Sequence, residues 1–328
     1  MSSKSILIPE GILKGQNLHA LWLRERLSGD DFVDKNNLQR LYEPNLLDDT
    51  LTINEYKINN NFLEISFSDG SNGKININEL YDEINSIDVI PNKKIWSASD
   101  KLQIFDNNQI QENKKYLIKM LKSFYEYGYV IIENTKPEEN EVINFAEKLG
   151  PVRTTNWGKL FNVVSKPNPN DLAYTALELK SHSDNPYRKP VPGIQLLHCI
   201  ANESVGGDSS LVDGYSVTEF LKKNHKKFYK ILTETNVNFK FIDVDVILEN
   251  KSKLIELDDN GLFKQINFSS RLDYVPNLRF EDLEIFYQAR KCMYELCNSD
   301  QFKIKFRLSA GMIAMFDNLR TLHGRTKF

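Results

Sequence analysis

Two residues apart, in Lys180-Ser-His-Ser-Asp-Asn-Pro-Tyr187, stand an imidazole and a carboxylate, His182 and Asp184. On an extended backbone both side chains leave the same face. One imidazole and one carboxylate aimed at one point make two-thirds of a facial iron site, the two-His-one-carboxylate set of non-heme Fe(II) oxygenases. The third ligand has to be a His brought in from far along the chain. Of the five His, which are His19, His182, His198, His225 and His323, the last is the candidate, in Met315-Phe-Asp-Asn-Leu-Arg-Thr-Leu-His-Gly-Arg325. His-x-Asp recurs by chance as a polar pair at a strand end. Scarcity sharpens it here, because His182 and His323 fall in segments that read as the start and end of one β domain. His198 reads as a packed core residue and His19, near Trp22, as a structural one. No catalytic group is singled out beyond the three metal ligands.

The elements that must position these residues are strands. Leu51–Ile58 and Phe62–Ser68 alternate as half-buried strands do, and Asp69-Gly-Ser-Asn-Gly73 turns the chain into Lys74–Ile77. Pro91-Asn-Lys-Lys94 reads as a linker. Glu112–Tyr127 is predicted as an amphipathic helix ended by Gly128, Tyr129–Glu133 as a buried strand, and Glu138–Leu149 as a second helix stopped by Gly150-Pro151. Beyond Val152 strands dominate, with helices over Val217–Thr233 and Glu281–Cys297 and a hairpin around Asp258-Asp-Asn-Gly261. The pattern predicts a mostly β chain with inserted helices. A small β-rich N-terminal domain over residues 1–92 precedes a double-stranded β-helix, or jelly-roll, catalytic domain over residues 93–328.

Composition removes several function classes. The chain has 42 basic against 45 acidic residues, which leaves none of the clustered basic excess that a nucleic-acid binder shows. Cys199, Cys292 and Cys297 have no metal-type spacing and read as reduced thiols. The apolar run after Met1 is too short for a signal peptide, and no stretch approaches a membrane span. These readings predict a cytoplasmic protein with neither nucleic acid nor membrane as a partner.

Six pieces carry a family resemblance: Ala20-Leu-Trp-Leu-Arg24, His182-Ser-Asp-Asn-Pro-Tyr-Arg188, Pro192-Gly-Ile-Gln-Leu-Leu-His-Cys199, Gly206-Gly-Asp-Ser209, Val212-Asp-Gly-Tyr215 and Phe316–Arg325. In this order they resemble the γ-butyrobetaine hydroxylase-like Fe(II)/2-oxoglutarate dioxygenases, and more distantly taurine dioxygenase. The resemblance implies that His182, Asp184 and His323 hold Fe(II) and that Ser209 contacts the co-substrate 2-oxoglutarate. It also implies hydroxylation of a small trimethylammonium substrate by O2, with release of succinate and CO2. Trimethyllysine or another small substrate stays open, as does a catalytically inactive β-barrel ligand-binding protein. A homodimer is one expectation, and the oligomeric state stays open.

The family holds quaternary ammonium groups in an aromatic cage by cation–π attraction. The matching positions are Trp157, Phe161 and Tyr174, which without the resemblance would read as ordinary core aromatics. Asn185 stands where the animal butyrobetaine enzymes carry another Tyr. Asn185-Pro-Tyr-Arg188 is similar to bacterial relatives that hydroxylate 2-trimethylaminoethylphosphonate, and Arg188 or Lys189 is placed to meet an anionic substrate end. The family's structural zinc needs N-terminal Cys ligands; no Cys precedes Cys199, so no structural zinc is expected. Family members also continue into a further strand carrying an Arg that grips 2-oxoglutarate. The sequence stops five residues after His323, and neither Arg320 nor Arg325 matches that Arg, so the catalytic domain is expected to be truncated at its C-terminus.

Overall fold

Alternation and capping residues decide most of the local structure. The computed structural model describes residues 3–85, 91–164 and 175–328. Its contacts divide the chain into two units, Met1–Val89 and Ile90–Phe328.

In the first unit β1 (Ser5–Leu7) pairs with β2 (Asn17–His19), and α1 (Ala20–Arg24) follows at once. Exposed His19 caps that helix, its Nδ1 accepting from the Leu21 N–H at 3.2 Å. This gives it a structural role. β3 (Ile53–Asn59), β4 (Phe62–Phe67) and β5 (Asn72–Asn76) form an antiparallel meander. Ile53, Leu63, Ile65, Phe67 and Ile75 bury one face of it with Leu80 of α2 (Ile77–Asn85).

The second unit begins with β6 (Ile104–Asp106), α3 (Asn107–Glu112) and α4 (Lys114–Tyr127). Asn113 caps α4 by accepting from the Lys115 and Tyr116 N–H groups. Gly128 ends it in the left-handed region at φ 76°, where a side chain would also meet Arg320 Cδ at 2.9 Å. β7 (Tyr129–Glu133), α5 (Glu141–Leu149), β8 (Leu179–His182), β9 (Ile194–His198) and β10 (Ser209–Asp213) come next. The single helix expected over Val217–Thr233 is two helices, α6 (Gly214–Asn224) and α7 (Lys226–Glu234). His225 breaks it at φ −135°, where its ring stacks on Phe228 at 5.6 Å. Asn and His are weak helix formers, so the break costs little. β11 (Asn236–Asp243), β12 (Val246–Lys253), β13 (Ile255–Leu257), β14 (Phe263–Ile266), β15 (Asp273–Tyr274), α8 (Phe280–Asn298), β16 (Lys303–Phe306), β17 (Ile313–Asp317) and β18 (Thr321–Arg325) complete the chain. Among the described residues no helix is long and apolar enough to cross a membrane.

Two four-stranded sheets, ordered β16-β10-β18-β8 and β6-β7-β17-β9, build the body of this unit. They pack face to face. Tyr129, Ile131, Ala314 and Phe316 of one sheet share a buried cluster with Leu211 and Ile304 of the other. The intervening residues Val130, Ile132, Ile313 and Met315 turn outward onto Met120 of α4 and Val142 and Phe145 of α5. A strand buried on both faces needs a continuous apolar run, and Tyr129-Val-Ile-Ile132 is one. On the other sheet Val212 and Leu322 face outward into a cluster with α6, α7, α8 and β11.

Three residues, 318–320, carry the chain from β17 in one sheet to β18 in the other. Arg320 anchors this crossing. Its guanidinium grips the buried Asp213 carboxylate through two bonds of 2.9 Å and donates to the Glu126 carbonyl at 2.7 Å.

Candidate metal centre and active site

β18 places His323 on the inward face of the sandwich, its ring 4.7 Å from that of Phe316. The neighbouring strand β8 places His182 directly opposite His323 in register. Opposite residues of an antiparallel pair share a face, so both imidazoles point the same way, with ring centroids 4.4 Å apart. β8 ends at His182, and Asp184 follows just beyond it. Asp184 Oδ1 lies 3.3 Å from His182 Nε2 and Asp184 Oδ2 lies 3.6 Å from His323 Nε2. One ligand atom from each of the three residues falls within 4.8 Å of the others.

This donor set fits a divalent transition metal. Neighbouring ligands at bonds of about 2.1 Å on one face of an octahedron are roughly 3 Å apart, close to the two spacings here. His182 Nδ1 meets the Lys180 carbonyl at 2.8 Å. A carbonyl only accepts, so Nδ1 donates there, and Nε2, the nitrogen nearest Asp184, is the one a metal would take. Burial pulls the His323 pKa down to about 4, against the upward pull of Asp184, and so keeps the ring neutral near pH 7. Burial works against the charge on Asp184. His323, His182 and the Gln195 amide more than offset that and hold its carboxyl well below the usual carboxylate range.

The residue between the two ligands is locked to another segment. Ser183 N–H donates to the Phe268 carbonyl at 2.8 Å, and Ser183 Oγ accepts from the Phe268 N–H at 2.8 Å. Ser209 lies opposite Arg325 in the β10–β18 register, two residues along from the Leu211–His323 pair. The period of two puts Ser209 on the same face as His323. His198 stands apart from the triad, on β9 opposite Ile313, with its Nε2 buried and unpartnered.

An aromatic cluster gathers around Tyr187, three residues after Asp184 in the chain. Trp157 projects from a tight turn closed by reciprocal backbone hydrogen bonds between Thr155 and Gly158, at 3.0 and 2.9 Å. Its ring meets Phe161 at 5.8 Å and, edge-on, Phe241 of β11 at 5.4 Å. Tyr187 stacks on Phe241 at 5.0 Å, and its hydroxyl donates to Asn185 Oδ1 at 2.5 Å. Asn185, directly after Asp184, adopts the left-handed conformation at φ 52° that Asn tolerates best. Arg188 lays its guanidinium 5.5 Å from the Trp157 ring and 5.7 Å from Tyr187, while Lys189 is exposed. Tyr174 lies outside the described residues.

Sequence reasoning brings together His182, Asp184 and His323, and Trp157 with Phe161. It passes over Tyr187, Phe241, Ser183, Gln195 and Asn318. Tyr187, Ser183, Gln195 and Asn318 stand inside quoted motifs and could have been singled out there. Phe241 sits in an ordinary alternating strand, Asn236-Val-Asn-Phe-Lys-Phe-Ile242, which carries no local signal.

A family model described as taurine catabolism dioxygenase TauD, TfdA family matches residues 90–328. The human γ-butyrobetaine dioxygenase is 34% identical over 242 residues, covering 73% of this chain and 62% of that protein. The trimethyllysine dioxygenase of Meyerozyma guilliermondii is 29% identical over 224 residues, covering 66% of this chain and 56% of its own length. The chain thus spans under two-thirds of the length of these curated relatives. Among solved structures, PvcB from Pseudomonas aeruginosa superposes with a TM-score of 0.51 at 15% identity, covering 73% of this chain and 85% of that one. That likeness speaks to the fold, a jelly-roll double sheet.

Proposed function

This chain belongs to the TauD/TfdA dioxygenase family, and from that premise we propose that it is an Fe(II)/2-oxoglutarate-dependent hydroxylase of a small trimethylammonium compound. The observation that carries the proposal is the convergence of His182, Asp184 and His323; the ring cluster around Tyr187, three residues after Asp184, supports the choice of substrate class. When bound, iron with 2-oxoglutarate and O2 supplies the oxidising chemistry, which hydroxylates a substrate carbon and leaves succinate and CO2.

The chain's own residues do the rest. His182 and His323 offer neutral imidazoles and Asp184 one negative charge, so a divalent ion keeps a net positive charge that favours an anionic keto acid. Ser209, on the same face as His323, contacts 2-oxoglutarate. Trp157, Phe161 and the Tyr187–Phe241 stack receive the quaternary ammonium group, whose cation is attracted to ring faces. Asn185 and Arg188 bracket Tyr187 and meet the substrate's other end. Arg188 is better placed than the exposed Lys189, because its guanidinium already packs against the cluster.

The test is succinate formation, measured with Fe(II), 2-oxoglutarate and O2, on γ-butyrobetaine, trimethyllysine and 2-trimethylaminoethylphosphonate in parallel. At least one should give metal-dependent succinate coupled to a hydroxylated product. Stoichiometric metal binding with no coupled succinate from any of the three would leave a ligand-binding protein in its place.

A further inference from the structure

We propose that Asn318 is a positioning residue for the metal corner, aiming the Asp184 carboxylate through the Asp184 peptide. The inference rests on the metal-site reading above. Asn318 opens the turn between β17 and β18, five residues before His323, and is fully buried. Its Oδ1 accepts from the Asp184 N–H at 2.7 Å. Its Nδ2 donates to the Asp184 carbonyl at 3.0 Å and to the Pro192 carbonyl at 2.9 Å. Its own N–H donates to the Gly193 carbonyl at 2.9 Å.

The placement matters because Asp184 lies past the end of β8, where no ladder bonds hold its backbone. One carboxamide takes over both of the Asp184 backbone polar groups. It thereby joins three segments: the turn that leads into His323, the peptide that carries Asp184, and the approach to Gln195, whose amide bonds the Asp184 side chain. A functional constellation has to be held within about 0.5 Å and 10–20° of its working geometry. Rotation of the unclamped Asp184 peptide would swing its carboxylate beyond that window.

The chemistry of this position is specific to Asn. Aspartate has the same shape but is acceptor-only, and would face the Asp184 and Pro192 carbonyls with no proton to give. Serine is too short to span both sides of the peptide. Glutamine adds a methylene to a filled site.

The test uses Co(II), whose visible absorption reports its ligand geometry, added anaerobically to the full chain. Asn318→Asp and Asn318→Ser should each weaken Co(II) binding tenfold to a hundredfold, the range for residues that orient metal ligands, and should change the absorption band. Val217→Ala, a cavity substitution on α6 that removes no hydrogen bond to a ligand residue, serves as the control for lost stability and should leave Co(II) affinity within about twofold. Native affinity and spectrum in a folded Asn318 variant would overturn the inference alone, as would an equal loss in Val217→Ala. Absence of Co(II) binding in the native chain would overturn the metal reading and this inference together. A measurement on the unmutated protein guards against variants that fail to fold. The Asp184 amide should exchange its hydrogen as slowly as those of β18, and exchange at the rate of an exposed loop would sink the clamp.

Discussion

The ligand triad and the aromatic cluster are near neighbours in sequence, Asp184 against Tyr187, yet different forces hold them. At the triad each backbone unit has a fixed partner. His182 is paired with His323, Ser183 is bonded both ways to Phe268, and Asp184 is held by Asn318. At the cluster the rings of Trp157, Phe161, Tyr187 and Phe241 hold one another largely by edge and face contacts at 5.0–5.8 Å, and Phe161 is exposed. Hydrogen bonds fix direction, whereas ring contacts tolerate sliding. On the proposed reading, a metal that needs one fixed geometry would use the first and a substrate the second.

The largest effect that would break this contrast comes from the triad. His182→Ala, Asp184→Ala and His323→Ala should each remove metal-dependent turnover, by a thousandfold or more, while circular dichroism stays native. His198→Ala should leave Co(II) affinity nearly unchanged. Turnover surviving in any triad variant would mean that the corner is not the metal site.

At the cluster the losses should be smaller and selective. Trp157→Ala and Phe241→Ala should weaken binding of a trimethylammonium ligand roughly twofold to thirtyfold, the range of one cation–π contact. The 2-oxoglutarate affinity should not move. Equal loss for both ligands would show that these rings support the core and not a substrate.

How much of this was legible beforehand follows from the same contrast. The triad could be read because its chemistry demands rare residue types at a short spacing, and the double sheet because apolar runs such as Tyr129–Ile132 mark its buried strands. The turn at His225 could not be read, since a helical pattern runs through it and only the stacking on Phe228 reveals the break. Phe241 was hidden because its role arises from tertiary placement of an unremarkable strand residue beside Tyr187. Asn318 was in view, but its use depends on the Asp184 peptide, 134 residues earlier in the chain.

A separate effect should appear in the stability of the metal-free protein. His323 is held to about 4 in the fold, against an ordinary value of 6.5. Between those values the unfolded chain binds the extra proton. Stability should therefore be full above about pH 6.5 and fall as the pH drops toward 4, by up to about 3 kcal/mol. Thermal melts of His323→Asn across that window should lose this part of the slope, and an unchanged slope would assign it to other groups.

β8, the strand that carries His182, lies at the edge of its sheet and pairs with β18 at two register positions with an irregularity between them. Edge strands with few ladder bonds open without the rest of the molecule unfolding. A divalent ion shared by His182 and His323 rivets that strand to its neighbour, so binding is also a local folding event. At a hundred times its dissociation constant the ion adds about 2.7 kcal/mol, so amides that open at β8 should exchange roughly a hundredfold more slowly. The metal would then act as a clasp on the edge of the sheet, and loss of the ion would loosen that edge before the rest of the fold.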